Sequence, residues 1–301
     1  MGGIDEVIAS EHRSFAFDRA LLPVAEIEPP STVRFEVDDS ALARLAGGES
    51  PEEIGMENFN AVTGPLSVRG AEPGDALRIE VLDIRISRAW SVWLPGFGGL
   101  GARSEKLQMM QTPLEDSRVR IEGGLSVPLE PMIGCIGLAP ARGRASTMRP
   151  VYPFGGNMDL RELSPGATLW LPVQVAGALL SVGDLHAAMG QGEPTFVGLE
   201  AAGAATLRID LERGREDLAY PRLRIGKETI CVGMGETHQD AKQSALDQAF
   251  ELLTVEHGLE SFAAYTYASA TVSIRLGGPS GTMVEGRQCV LAAVPDPKPR
   301  R

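Results

Sequence analysis

The feature that most restricts the fold is a local pattern that occurs three times: a proline-centred turn running straight into alternating apolar and polar positions. It appears at Glu28-Pro29-Pro30-Ser31-Thr32-Val33-Arg34-Phe35-Glu36-Val37, at Glu72-Pro73-Gly74-Asp75-Ala76-Leu77-Arg78-Ile79-Glu80-Val81, and at Ser164-Pro165-Gly166-Ala167-Thr168-Leu169-Trp170-Leu171-Pro172-Val173. A period of two places the apolar side chains on one face of an extended chain, and Pro or Gly presets the turn that feeds it. Each segment is therefore predicted as a strand with one buried face. The chain has 35 glycines and 21 prolines, above the roughly 12% usual for the two together. The surplus is turn material and favours many short strands over long helices.

Further strands are expected at Leu66–Val68, Ser87–Leu94, Val127–Leu129, Ile133–Leu138, Phe196–Leu199, Leu207–Leu211, Arg222–Ile225, Thr229–Met234, Thr271–Arg275 and Cys289–Val294. From His238 to His257 the period changes. Ala241, Ala245, Leu246, Ala249, Phe250, Leu252 and Leu253 recur at three and four, with Thr237 as N-cap and Gly258 as stop, which predicts a helix. A second helix is expected over Leu259–Ala268, and a frayed tail over Pro295–Arg301. The fold class is mainly β with an α+β C-terminal part: β-sandwich or barrel-like lobes plus a C-terminal helix packed on strands. The expected division is an N-terminal β-rich lobe at 1–145, a central β segment at 146–205 and a C-terminal α+β lobe at 206–301, packed as one unit.

The formal charge is −12, so nothing draws the chain to phosphate backbones or anionic lipid, and neither nucleic acid nor membrane is expected as a partner. Cys135, Cys231 and Cys289 lie far apart without a C-x-x-C spacing and read as buried thiols in a reducing compartment. Met1–Ser10 carries Asp and Glu without a basic start or apolar run, so no signal peptide is expected and the protein reads as cytoplasmic.

Two regions gather polar groups among glycines. One is Gly155-Gly156-Asn157-Met158-Asp159; the other is Gly183-Asp184-Leu185-His186-Ala187-Ala188-Met189-Gly190-Gln191-Gly192-Glu193. On an extended segment the spacing of two puts Asp184 and His186 on the same face. With Asp159 as a third ligand they make a mixed nitrogen and oxygen site for a divalent metal such as zinc. Glu193 is then the base outside the ligands, and Ala187, Ala188, Gly190 and Gly192 leave room for a substrate and let the chain turn back. An Asp-x-His pair alone is more often a histidine capping a turn or satisfied in a core, and Gly-Gly-Asn-x-Asp alone is more often a turn. Leu94–Gly101 lacks the Lys-Ser/Thr of a phosphate cradle and reads as a mobile loop rimming a pocket. Ser181 lacks the Gly-x-Ser-x-Gly turn of a nucleophile elbow, and Cys135, in an apolar run without basic neighbours, reads as an inert thiol.

These motifs carry a resemblance. Thr63-Gly64-Pro65, then Val68-Arg69-Gly70-Ala71-Glu72-Pro73-Gly74-Asp75, then Gly155–Asp159, then Leu171-Pro172-Val173 through Gly177–Ala188 to Gly190-Gln191-Gly192-Glu193 resemble, in order, the acetamidase/formamidase family. The resemblance implies a β-rich, usually oligomeric amidase associated with a divalent metal, acting on short amides such as formamide and acetamide and releasing carboxylate and ammonia. It points to Asn157, Asp159, Asp184, His186 and Glu193 as site residues. The expected function is a metal-dependent amidohydrolase in which Asp159, Asp184 and His186 hold the metal, Glu193 is the base and Asn157 steadies the oxyanion. The substrate is a small neutral amide and the protein a homo-oligomer. The alternatives are a lactamase or an amidase of larger amides on the same site, and a non-catalytic β-protein with a structural cation. Met189 stands where the family usually has Gln, and Ala41–Glu57 reads as a variable, charged insertion.

Overall fold

The three turn-led segments all become strands of one large sheet, and alternation is the reason. Their buried positions are Val33, Phe35 and Val37 in the first, Leu77, Ile79 and Val81 in the second, and Leu169 and Leu171 in the third, with partly exposed residues between. Each such side chain contributes about 1.5–3 kcal/mol by leaving water. The computed structural model describes residues 3–149, 153–278 and 288–297. Its main strands are β1 (Ser31–Val37), β2 (Val62–Val68), β3 (Ala76–Trp93), β4 (Met132–Gly137), β5 (Gly155–Asn157), β6 (Thr168–Pro172), β7 (Leu180–Ala188), β8 (Leu199–Glu212), β9 (Arg222–Ile225), β10 (Glu228–Gly235), β11 (Ser273–Gly277) and β12 (Gln288–Pro295). They lie in the order β5-β4-β7-β8-β3-β6-β9-β10-β12-β11, every neighbouring pair antiparallel. The mainly β class with an α+β C-terminal part is what the chain adopts.

Among the described residues four α-helices are added: α1 (Ser40–Ala46), α2 (Pro51–Ile54), α3 (His238–Glu251) and α4 (Ser261–Thr271). Thr237 caps α3 by accepting from the Asp240 amide at 3.1 Å. The coil then runs on through Leu252–Glu256 in a wider turn and stops at Gly258, whose φ is 64°. Ala245, Ala249, Leu252 and Leu253 bury against Cys231, Ala292 and Val294 of β10 and β12. Phe250, counted in the apolar stripe, is instead exposed.

The structure corrects several sequence expectations. Phe196 and Val197 are not strand: Phe196 has a φ of 73° and β8 starts only at Leu199. Ser87–Leu94 is no separate strand but the end of β3, which pairs with β8 almost throughout. The tail is anchored rather than frayed at Asp296, which accepts from Arg224 Nη1 at 2.9 Å; residues 298–301 lie outside the described residues. All three cysteines are buried and free. No described helix is long and apolar enough to cross a membrane.

Strand β7 positions the site. One edge pairs with β4 along most of its length. The other pairs first with β2, through Val182↔Thr63 and Gly183↔Val62, and then with β8, through Leu185↔Ala201 and His186↔Glu200. The change of partner falls at Asp184. There β2 crowds so close that a Cβ on Gly183 would sit 2.1 Å from the Ala61 carbonyl oxygen, so only glycine fits.

Candidate active site

Asp184 and His186 project from β7 where its partner changes, and the register brings their neighbours from three other strands. Glu200 on β8 lies directly across from His186. Cys135 on β4 pairs with Gly183 on one side and with Asn157 of β5 on the other, and Asp159 follows two residues after Asn157. Glu193 arrives on the turn that follows β7, held by its amide donating to the Gly190 carbonyl at 3.0 Å. His186 is the hub. Its Nε2 lies 3.2 Å from Glu200 Oε1, 3.6 Å from Asp184 Oδ1 and 3.9 Å from Glu193 Oε1. Two sets of donor atoms, Asp159–His186–Glu193 and Asp184–His186–Glu200, each fall within 4.8 Å of one another.

Backbone strain is concentrated here. Among the described residues seven non-glycines hold a left-handed φ, and three of them are Asp159 at 44°, Asp184 at 56° and Glu193 at 43°. Such conformations cost of order 1–3 kcal/mol each and persist where the surroundings over-determine them. Gly134 makes the convergence possible. A Cβ there would lie 2.6 Å from both Asp159 Oδ1 and Asp184 Oδ2.

Four carboxylates and one imidazole thus share a nearly enclosed space, and among the described residues neither Lys nor Arg lines the pocket above them. Both carboxylate oxygens of Asp159 and the Nδ1 of His186 are buried without a hydrogen-bond partner among the described residues. Burial raises the Asp159 carboxyl well above its ordinary value, and the neighbouring Asp184 pushes it further. Burial and Asp159 do the same to Glu193, and burial raises Glu200. Burial alone would lower His186, but the Glu200 and Asp184 carboxylates outweigh it and hold the imidazole well above its usual value. Burial, Asp184 and Asp159 push the Cys135 thiol up, so it stays an inert thiol. Asn60 ties the rim together: its Nδ2 donates to Asn157 Oδ1 at 2.7 Å, to the Thr147 carbonyl at 3.1 Å and to Asp184 Oδ2 at 3.2 Å.

A model of the acetamidase/formamidase family matches residues 14–148 and 128–279. The chain belongs to the acetamidase/formamidase family. The crystal structure of an acetamidase from Bacillus halodurans superposes with a TM-score of 0.88 at 31% identity, covering 96% of this chain and 97% of that one. A formamidase from Methylophilus methylotrophus is 24% identical over 254 residues, 62% of this chain and 61% of its own length. An acetamidase from Mycolicibacterium smegmatis is 25% identical over 258 residues, 63% of each chain. The chain spans less than two thirds of the length of these two curated relatives.

All five residues to which the family resemblance points, Asn157, Asp159, Asp184, His186 and Glu193, meet at this one place. Glu200, Asn60 and Gly134 join them without having been singled out in the sequence. Glu200 had only the β8 strand pattern around it, and cross-strand register has no local signature. Gly134 was visible only as part of the apolar run around Cys135. Ala187, expected to leave room for a substrate, is instead in the core, and Gly183 admits a neighbouring strand. Met189 is buried and does not line the pocket. The Ala41–Glu57 segment is no mere charged insertion, because Leu42, Leu45, Pro51 and Met56 line the pocket. Leu94 and Phe97 do so too, as expected of a rimming loop.

Proposed function

We propose that the protein is a metal-dependent amidohydrolase that converts a primary amide and water to a carboxylate and ammonia. The observation that carries the metal is Asp159: a fully buried carboxylate with neither oxygen hydrogen-bonded among the described residues, facing three other carboxylates across one imidazole. Burying unpaired charge costs several kcal/mol per ion unless a counter-charge is supplied, and carboxylate plus imidazole is a donor set suited to zinc or a similar divalent cation. His186 through Nε2, Asp159 and Asp184 would hold it, with Glu200 as a further donor missed from the sequence. When bound, such a cation supplies polarisation of the amide carbonyl and acidification of a water.

The remaining steps belong to side chains. Glu193 accepts the proton of the attacking water and passes it to the departing nitrogen, a task suited to a carboxyl whose affinity for protons is raised by burial. Asn60 donates to Asn157 Oδ1, which leaves the Asn157 amide nitrogen as the end that can donate to the developing oxyanion. The carbonyl carbon gains an oxygen bond and loses its nitrogen, giving carboxylate and ammonia. Family membership and the likeness to a Bacillus halodurans acetamidase support this chemistry.

The test is ammonia release from formamide, acetamide and butyramide by protein stripped with a chelator and then restored with zinc. Loss on stripping and return on zinc addition are expected. Full activity in metal-free protein refutes the metal's role, and no ammonia from any amide under either condition refutes the amidase.

A further inference from the structure

Above the carboxylates the pocket wall turns to carbon. Leu42 and Leu45 come from α1, Met56 from the turn after α2, Val92 from the end of β3, and Phe97 and Phe196 from two facing loops. The two rings pack with centroids 5.3 Å apart, and their loops are fastened by the Gly99 amide donating to the Pro194 carbonyl at 3.1 Å. Phe196 holds a left-handed φ of 73°, fixed by its amide donating to the Glu193 carbonyl at 3.0 Å. An aromatic residue in that conformation is strained. The same turn that sets Glu193 therefore also sets the ring above it.

Resting on the amidase reading, we propose that this wall selects primary amides with an uncharged, apolar acyl chain longer than acetyl, seated against Leu42, Leu45 and the Phe97–Phe196 pair. The product nitrogen leaves as ammonia and carries no substituent, so the apolar part of the substrate is the acyl group. A formyl or acetyl group leaves the wall in contact with water. An anionic acyl group meets the carboxylates with no Lys or Arg among the described lining residues to receive it. The cavity of about 100 Å³ is smaller than the roughly 150 Å³ apolar cavity that holds benzene, so the acyl chain that seats in it is short.

The experiment compares kcat/KM for ammonia release from acetamide, propionamide, butyramide and the anionic succinamate. A rise of about fourfold per methylene is expected from acetamide to butyramide, with succinamate at least about tenfold below butyramide. Flat or falling values with chain length overturn the proposal. Phe196→Ala is expected to remove most of the butyramide-to-acetamide ratio, with KM rising more than kcat falls. Leu42→Ala, on a different element, repeats the test should the first variant misfold. An unchanged ratio in a folded variant overturns the assignment of the wall. Binding of the same amides to Glu193→Gln protein, read by calorimetry, separates this proposal from the amidase reading. Tighter binding of butyramide without any turnover by the wild type sinks the amidase and keeps the wall, whereas equal binding of acetamide and butyramide sinks the wall.

Discussion

Replacing Gly134 by alanine tests whether the carboxylate cluster depends on one missing methyl group. The added Cβ would stand 2.6 Å from Asp159 Oδ1, 2.6 Å from Asp184 Oδ2 and 2.9 Å from the Asp184 carbonyl oxygen, against an ordinary contact of 3.4 Å or more. Both carboxylates must therefore retreat by about 0.8 Å, beyond the roughly 0.5 Å within which a working site holds its groups. A misplacement near 1 Å costs on the order of 100-fold in rate, and a tenfold to 100-fold loss of zinc affinity is of the size seen when ligand orientation is disturbed. Overpacking adds about 1–3 kcal/mol of destabilisation. Ammonia release, equilibrium dialysis against zinc and the thermal midpoint measure the three effects separately. Gly190→Ala is the control, since its Cβ would meet only Pro194 side-chain atoms at 3.5 and 3.6 Å. Gly134→Ala protein with unaltered zinc affinity and turnover would refute the reasoning, as would an equal loss in the Gly190 variant.

Glu193→Gln is expected to lower kcat by about 10²–10⁴-fold while zinc content stays near that of the wild type; metal content by mass spectrometry beside turnover decides it. In chelated protein, Asp159, Glu193 and Glu200 keep protons in the folded state that the unfolded chain releases above its ordinary carboxyl values of 3.8 and 4.5. The stability they contribute is thus complete below about pH 4 and is lost as pH climbs through the raised folded-state values. Thermal midpoints in chelator from pH 4 to 8 are expected to fall more steeply for wild type than for Asp159→Asn, and added zinc is expected to flatten the fall; a shallower wild-type slope contradicts the burial argument. Thr237→Ala removes the α3 cap and is expected to cost about 1 kcal/mol of stability in urea titration, with turnover unchanged.

The helix at α3 was legible because its apolar positions, cap and stop all lie in the one stretch from Thr237 to Gly258, and the turn-led strands were legible for the same local reason. Phe196 shows the limit. Its surroundings read as extended, but the loop contact with Pro194 and the turn after Glu193 override that preference and give it a left-handed backbone. The Ala41–Glu57 segment was misread because its charges mark the outer faces of short helices, while the leucines between them face the pocket.

The sequence by itself determined that strands dominate, that Asp184 and His186 share a strand face, and that an Asn-x-Asp and a Glu on glycine-rich turns accompany them, since each is a relation between residues close along the chain. Only the tertiary structure decided that Glu200 stands across from His186, that Gly134 makes way for two carboxylates, and that α1 and two loops close an apolar wall above them. Strand register and the packing of distant loops join residues far apart in the chain, and the two-residue and three-to-four-residue periods that betray strands and helices carry no record of which partner will lie opposite.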